Sequence, residues 1–434
     1  MPQRARRIAV LVTLAVCAYL PALQLPFIAD DYSQIPRAMQ YSAQGWAPLW
    51  HDLGLRTRAT YVFLSAILGR AFGFTPFPFY AASMVLHILC VLLLYATSVW
   101  SEVGERLAFW AACFFAVYEG HQEAVMWVAA SSDLLVFLFG MAAWVCWVRW
   151  LQGRGWKWYG LALASFLAAT ASKESACIFP VLMFLPLLVT RQRVPSALAG
   201  LSPFFAIAIT YVAWNWGSRV GDAGYQDIRF SLSAPWALVA LRSFWRLFFV
   251  WGLIALGVIL WLGKRRDAWL VSLGSAWAIL GLMPYSFLTY MPYVPSRHTY
   301  IASAGLAWIV GAAAVRLSGY KSRVPLVALC LAALTVNLEI LWVKKMAQFR
   351  ERAEPSELLK QAAKEAKGPL YIDCWPLPDF LAQDVLAGSG SRAIFRGPGA
   401  QSTSNCFSVE YMNREGQLIH EFRRLGSQRH GVFY

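Results

Sequence analysis

Phe27-Ile28-Ala29-Asp30-Asp31-Tyr32 is the stretch on which the reading of this chain turns. It closes residues 8–27, a run almost wholly apolar. At about 1.5 Å per residue, a run of that length spans the ~30 Å hydrocarbon core of a bilayer. A carboxylate at mid-membrane costs about 2.5–3.5 kcal/mol on insertion scales, so an adjacent pair belongs at the interface or in a wet cavity. Asp30 and Asp31 therefore either mark the end of a helix or begin a site.

The rest of the chain decides between these. Of its 434 residues, 59% are hydrophobic, 15% aromatic and only 14% charged, against about 25% charged in a soluble domain. A soluble core cannot hide that much apolar surface, so this is a polytopic membrane protein. A formal charge of +15 would suggest nucleic acid in a soluble chain. Here the basic residues are divided among short loops between apolar runs, the pattern of the positive-inside rule, which argues against nucleic-acid binding. Met1–Arg7 and the run behind it read as an uncleaved first span. Leu14-Ala15-Val16-Cys17 approaches a lipoprotein cleavage box, but Val16 is a poor residue before the cysteine.

Candidate spans are about 8–27, 78–99, 106–119, 129–149, 157–172, 175–190, 196–216, 246–262, 268–287, 299–316 and 324–343. With the basic N-terminus inside, the turns holding Arg106, Arg149/Arg154/Lys157, Arg191/Arg193, Lys264/Arg265/Arg266 and Arg316/Lys321/Arg323 are cytoplasmic. The expectation is an all-α membrane domain of about eleven transmembrane helices over 1–343, with the C-terminus outside. The polar clusters then share the external side. The first outer loop, about 28–77, holds Asp30, Asp31, Arg56, Arg58 and an apolar stretch, Tyr61–Phe74, that reads as a helix lying in the interface. The second holds His121 and Glu123, with Asp133 just beyond; the third is Ser172-Lys173-Glu174-Ser175. The fourth, about 217–245, carries Arg219, Asp222, Asp227, Arg229 and Arg242, and the fifth ends in Arg297-His298-Thr299-Tyr300.

From residue 344 the composition changes. Residues 344–367 are charged and helix-prone, Pro369–Trp375 reads as a strand, 379–387 as a helix and 394–397 as another strand. Cys406–Met412 and Gln417–Phe422 across Asn413–Gly416 read as a hairpin. This predicts a small extracytoplasmic α/β domain over 344–434. Cys374 and Cys406 are the two cysteines of this tail, and two readings stay open: a disulfide in an oxidising compartment, or two buried free thiols.

Neighbouring carboxylates at a membrane edge suit base chemistry on an acceptor hydroxyl, or oxygen ligation of a divalent cation. The candidate ligands for such a metal are Asp30, Asp31, His121 and Glu123. Arg58, Lys173 and Arg297 are isolated cations that could converge on a phosphate and stabilise charge developing on it; the alternative is snorkelling to headgroups. His87, inside an apolar span, reads by default as a satisfied core histidine. The chain has no P-loop, glycine-rich dinucleotide signature or closely spaced Cys/His box.

The order of these motifs resembles a family. Phe27-Ile28-Ala29-Asp30-Asp31, Arg58-Ala59-Thr60-Tyr61, Tyr80–His87, Phe115–Trp127, Ser172-Lys173-Glu174 and Ser296-Arg297-His298-Thr299-Tyr300 follow one another as in the GT-C glycosyltransferases. The likeness is to the protein O-mannosyltransferase-like branch, including transmembrane transferases with tetratricopeptide repeats, and covers about 8–316. It implies transfer of a sugar from a polyprenyl-phosphate donor to an acceptor hydroxyl of protein, glycan or lipid, usually with inversion. It implies Asp30 or Asp31 as base, Arg58, Lys173 and Arg297 at the donor phosphate, and His121, Glu123, Asp133, His298 and Tyr300 lining the pocket. In a bacterium the membrane would be the inner one and the active site periplasmic. The chain departs from the family's habit at Ala59-Thr60, Glu119-Gly120 and Ser131-Ser132, and no tetratricopeptide array follows. The competing classes are a lipid-linked glycan ligase or polymerase, and a transporter or flippase. The latter predicts mid-membrane charges and repeat symmetry between halves.

Overall fold

The computed structural model describes residues 3–189, 194–219, 233–287, 292–396 and 406–425. The protein is an integral, multi-pass membrane protein. In chain order its helices begin with α1 (Gln3–Tyr19), followed by a 3₁₀ turn at Leu20–Gln24 in which Pro21 supplies no N–H. The segment expected as the first outer loop folds into α2 (Asp31–Gln44) and α3 (Ala59–Phe72), which pack on each other. Thereafter come α4 (Pro76–Ala96), α5 (Gly104–Val117), the short α6 (Gln122–Met126), α7 (Ser131–Leu151) and α8 (Trp156–Thr170).

The run expected at 175–190 is broken into a 3₁₀ turn and two pieces, α9 (Phe179–Leu182) and α10 (Leu185–Val189). Pro180 and Pro186, each at the second position of its piece, remove the donors that would join them. Then follow α11 (Val194–Arg219), α12 (Trp236–Phe248), α13 (Trp251–Leu262), α14 (Arg265–Ser286), α15 (Tyr300–Ser318), α16 (Val324–Glu339) and α17 (Met346–Glu365).

Each of the eleven apolar runs is thus helical, yet among the described residues seven helices are by themselves long and apolar enough to cross a membrane. The pair α12–α13, bent by 71°, would make an eighth. Helices α5 and α8, at 14 and 15 residues, fall short by the same measure. The expected fourth outer loop, 217–245, also needs correction: α11 reaches Arg219 and α12 starts at Trp236. The buried face of α12, Val239, Ala240, Ser243, Leu247 and Phe248, has the helical spacing that makes it pack. Arg191, Arg193, Asp222, Asp227, Arg229, Tyr290 and Met291 lie outside the described residues.

The core centres on α15, which is almost wholly buried because its small residues let other backbones come close. A Cβ on Gly274 of α14 would lie 2.7 Å from the Gly305 carbonyl oxygen, and one on Gly311 would lie 2.8 Å from that of Leu107 in α5. The Trp277 indole donates to the Ile301 carbonyl at 2.8 Å, fixing the first turn of α15. His87 of α4 is indeed a satisfied core histidine: Nδ1 lies 2.7 Å from the Tyr300 hydroxyl and Nε2 3.1 Å from the Ala116 carbonyl. Arg297 and His298, just ahead of α15, are thereby held at a defined height in the bundle.

Helices α16 and α17 join through a π-helical segment, Ile340–Lys345, into one rod over Val324–Glu365. Its 42 residues measure about 63 Å at 1.5 Å each, twice the ~30 Å hydrocarbon core, so α17 projects beyond the bilayer. The boundary drawn at 343/344 falls within the π-helical segment. Beyond the rod stand β1 (Leu370–Cys374), α18 (Asp379–Leu386), β2 (Ala393–Phe395), β3 (Cys406–Met412) and β4 (Leu418–Arg424). The sheet order is β2-β1-β3-β4, with β1 and β2 parallel across α18, and β3 and β4 the expected hairpin. Cys374 and Cys406 form a disulfide between β1 and β3, with Cα atoms 5.7 Å apart.

Candidate active site

The acidic pair does not end a helix; it begins one. Asp30 caps α2, its carbonyl accepting from the Gln34 N–H at 2.8 Å, and Asp31 is the first helical residue. The chain reverses at Ala29, whose φ of +40° is unusual for a residue with a Cβ. Such a conformation costs on the order of 1–2 kcal/mol and persists where its surroundings hold it. What holds it is Asp31. One Asp31 oxygen accepts from the Ile28 N–H at 2.9 Å, and the other from the Ala129 N–H at 2.7 Å, ahead of α7.

The two carboxylates therefore differ in kind. Asp31 is wholly buried and both its oxygens hold backbone. Burial pushes its pKa up to about 8, against the two backbone donors, which favour the ionised form. Asp30 is only partly buried: burial raises its carboxyl, while the charges of Arg297 and Arg58 pull it back. A carboxyl raised by burial and restrained by two cations is suited to receive a proton.

Arg58 ends a 3₁₀ turn and leads into α3. The segment is moored to the α8 terminus through Thr60, whose N–H donates to the Ala171 carbonyl at 3.1 Å and whose hydroxyl donates to Ser172 Oγ at 2.7 Å. These bonds use the Thr60 that stands where the family pattern differs, and they bring Arg58 near Lys173.

Lys173 is engaged with α7. Its Nζ donates to Asp133 Oδ2 at 2.7 Å and lies 3.3 Å from His298 Nδ1, which is itself 3.3 Å from Asp133 Oδ1. Both members of the ion pair are buried, with side chains 4% and 3% exposed. Burial lowers Lys173 to about 8, Asp133 opposing this and Arg58 adding to it. The His298 ring stacks on Tyr285 with centroids 3.8 Å apart.

Glu123 links a third pair of segments. One oxygen accepts the Arg297 backbone N–H at 3.2 Å, and the other lies 3.3 Å from Arg352 Nη2 of α17. Burial by itself would raise Glu123, but Arg297 and Arg352 hold it down to about 2. Arg352 was not legible as a site residue, because it follows the last apolar run in a charged helix. The Arg297 guanidinium lies over the Trp127 ring at 4.9 Å. His121 is packed among aromatics, its ring 4.2 Å from Phe115 and 4.3 Å from Tyr300, with Nε2 2.7 Å from Ser303 Oγ. Among the described residues no group of three or more His, Cys, Asp or Glu stands where it could hold a metal. Asp31 has both carboxylate oxygens committed to backbone N–H groups, and His121 has Nε2 engaged with Ser303.

All of these residues meet at one end of the helix bundle. The ion pairs Arg7–Glu105 and Arg316–Asp267 and the Arg266–Ser101 bond mark the other end. Close to Arg58, an apolar groove of about 530 Å³ runs between α3, α4 and α7, lined by Thr60, Trp50, Phe63, Ile67, Leu86 and Leu135 among others.

No family model matches the sequence, and no curated protein does. Solved structures do. The apo oligosaccharyltransferase of Archaeoglobus fulgidus aligns with a TM-score of 0.52 at 12% identity, over 93% of this chain and 67% of that one. The same enzyme tethered by a disulfide to an acceptor peptide containing the NVT sequon aligns with a TM-score of 0.51 at 14% identity, over 93% and 67%. The chain has the GT-C fold. A further structure, the archaeal oligosaccharyltransferase with an inhibitory peptide and a dolichol-phosphate, aligns at 0.49 and 13% identity, over 83% of this chain and 57% of that one. The chain thus spans 57% to 67% of the length of these neighbours.

Proposed function

We propose that this GT-C protein transfers a sugar from a polyprenyl-phosphate donor to an acceptor hydroxyl on the extracytoplasmic face of its membrane. One observation carries the reading. Asp30, at the cap of α2, lies within the electrostatic reach of Arg58 and Arg297, while its neighbour Asp31 spends both oxygens holding the turn between them. Asp30 takes the acceptor proton as the hydroxyl oxygen bonds to the anomeric carbon. The bond from that carbon to the phosphate oxygen breaks, its electron pair leaves with polyprenyl phosphate, and the sugar inverts. Arg58 and Arg297 stabilise the charge arriving on the phosphate. Lys173, clamped by Asp133 and His298, adds positive potential. The apolar groove beside Arg58 suits an isoprenoid chain whose phosphate is at the arginines. Glu123, His121 and Tyr300 shape the wall, and the acceptor approaches past α2 and α17.

The test uses purified protein in detergent with a panel of polyprenyl-phosphate sugars, following release of free polyprenyl phosphate. Asp30→Asn should lose turnover by about 10²–10⁴-fold, the usual share of a general base, with unfolding unchanged. Equal turnover in wild type and Asp30→Asn would remove Asp30 from the chemistry. No release from any donor, with or without offered hydroxyl acceptors, would count against the donor class.

A further inference from the structure

Helix α17 lies beyond the membrane core, yet Arg352 and Glu357 grip the two segments that carry the proposed machinery. Arg352 places Nη1 and Nη2 at 3.4 and 3.3 Å from one oxygen of buried Glu123, whose other oxygen accepts the Arg297 N–H at 3.2 Å. Further along the helix, Glu357 accepts from the Tyr32 hydroxyl at 2.7 Å, two residues after Asp30, and Lys360 Nζ sits 5.6 Å above the Tyr32 ring. The π-helical segment Ile340–Lys345 comes just before these contacts. Its wider turn re-phases the rod, so it decides which face α17 turns to the loops.

We infer that Arg352 is a positioning residue: acting through Glu123, it fixes the backbone of Arg297 and so holds that guanidinium at the donor phosphate. The inference rests on the reading of Arg297 as a phosphate ligand. The guanidinium is braced on its own helix by the Phe349 ring at 5.0 Å, and two of its nitrogens converge on a single carboxylate oxygen. A cation of this kind lets a carboxylate stay ionised in a buried place, where it can restrain a main-chain N–H firmly. The groups facing Glu123 are Arg297 and Ser296 ahead of α15, Arg352 on α17 and, more remotely, Lys345 of the π-helical segment. The tail helix is on this account a part of the donor site.

The experiment measures the Kd of full-length protein for polyprenyl phosphate, which needs no acceptor. Wild type is compared with Arg352→Gln, Arg352→Lys, Arg297→Gln and the double variant Arg297→Gln/Arg352→Gln, each with its unfolding midpoint. Arg352→Gln should bind about fivefold more weakly, the upper end for a partly exposed pair, and Arg352→Lys should recover most of the loss. The double variant should be no weaker than Arg297→Gln alone, because Arg352 has no effect except through Arg297. Should Arg352→Gln fail to fold, Glu123→Gln takes its place under the same non-additivity. Unchanged binding in Arg352→Gln, or losses that add in the double variant, would overturn the inference while wild-type binding leaves the donor reading standing. Absence of binding by wild type would overturn both.

Discussion

The buried pair Lys173–Asp133 allows a quantitative test, because its cost on disruption follows from geometry. With Asp133→Asn, Lys173 keeps an oxygen to donate to but loses its counter-charge, among side chains 4% and 3% exposed and with Arg58 and Arg297 nearby. Removing one partner of a buried ion pair costs about 3–5 kcal/mol, because the remaining charge is stranded. Lysine has an escape, which is to give up its proton. Burial has already lowered it from 10.5 to about 8, and without Asp133 it falls further. The unfolded chain still binds that proton, so the price of discharge shrinks as pH rises toward the unfolded value. The expectation is a variant about 3–5 kcal/mol less stable than wild type at neutral pH, with the deficit narrowing by about pH 9.5. Replacing both partners by apolar residues, Lys173→Met with Asp133→Leu, should come within about 1–2 kcal/mol of wild type. Denaturant unfolding in micelles, followed by tryptophan fluorescence at both pH values, measures all three. A single variant within about 1 kcal/mol of wild type at neutral pH would refute the reasoning, since it would put the pair in the range of solvated ones.

Other outcomes follow from the same geometry. Asp31→Asn keeps one carbonyl oxygen but turns an NH₂ toward a backbone N–H; it should cost about 1–3 kcal/mol, seen in the unfolding midpoint, and spare polyprenyl-phosphate affinity once the fold is intact. Glu123 is held below its unfolded value of 4.5, at about 2, so its stabilisation is complete above pH 4.5 and lost as pH falls through 2. The loss amounts to about 3 kcal/mol at 1.36 kcal/mol per unit, and an acid titration of Glu123→Gln should lack it. In the tail, the Cys374–Cys406 link spans 32 residues, which the chain-entropy relation converts to about 3–4 kcal/mol. Replacing both cysteines by serine should open 344–434 to limited proteolysis while the membrane core keeps its unfolding midpoint.

Much of the architecture was legible because apolar runs and strand alternation are local properties. The eleven runs are helical, and β1, α18, β2 and the hairpin stand close to where composition and turn residues suggested. The breaks were harder to read. Pro180 and Pro186 could each have sat in the first turn of a continuous helix or begun a new one, and the structure takes the second course. Helix α12 was hidden in an assumed loop because Arg242 and Arg246 interrupt its apolar residues, although the buried face keeps helical spacing.

The site was legible as an inventory and not as a set of partnerships. Lys173 finds Asp133 forty residues earlier and His298 far later, and Glu123 joins Arg297 to an arginine in the tail. No local pattern encodes such pairs; they follow from helices that return repeatedly to one end of the bundle. The division of labour between Asp30 and Asp31 is the clearest case. Consecutive side chains point in different directions, so one of two adjacent carboxylates can be spent on the backbone while the other is exposed to the site. Which is which depends on Ala29 at φ +40° and on the distant Ala129 N–H. The turn needs a buried acceptor on its helical side, and the residue inside α2 is the one that can reach both Ile28 and Ala129. The preceding residue, at the cap, makes no side-chain bond to the helix and is left under the influence of Arg58 and Arg297. The fold thus uses one aspartate to aim the other, and a chemical role for Asp30 carries with it a structural one for Asp31.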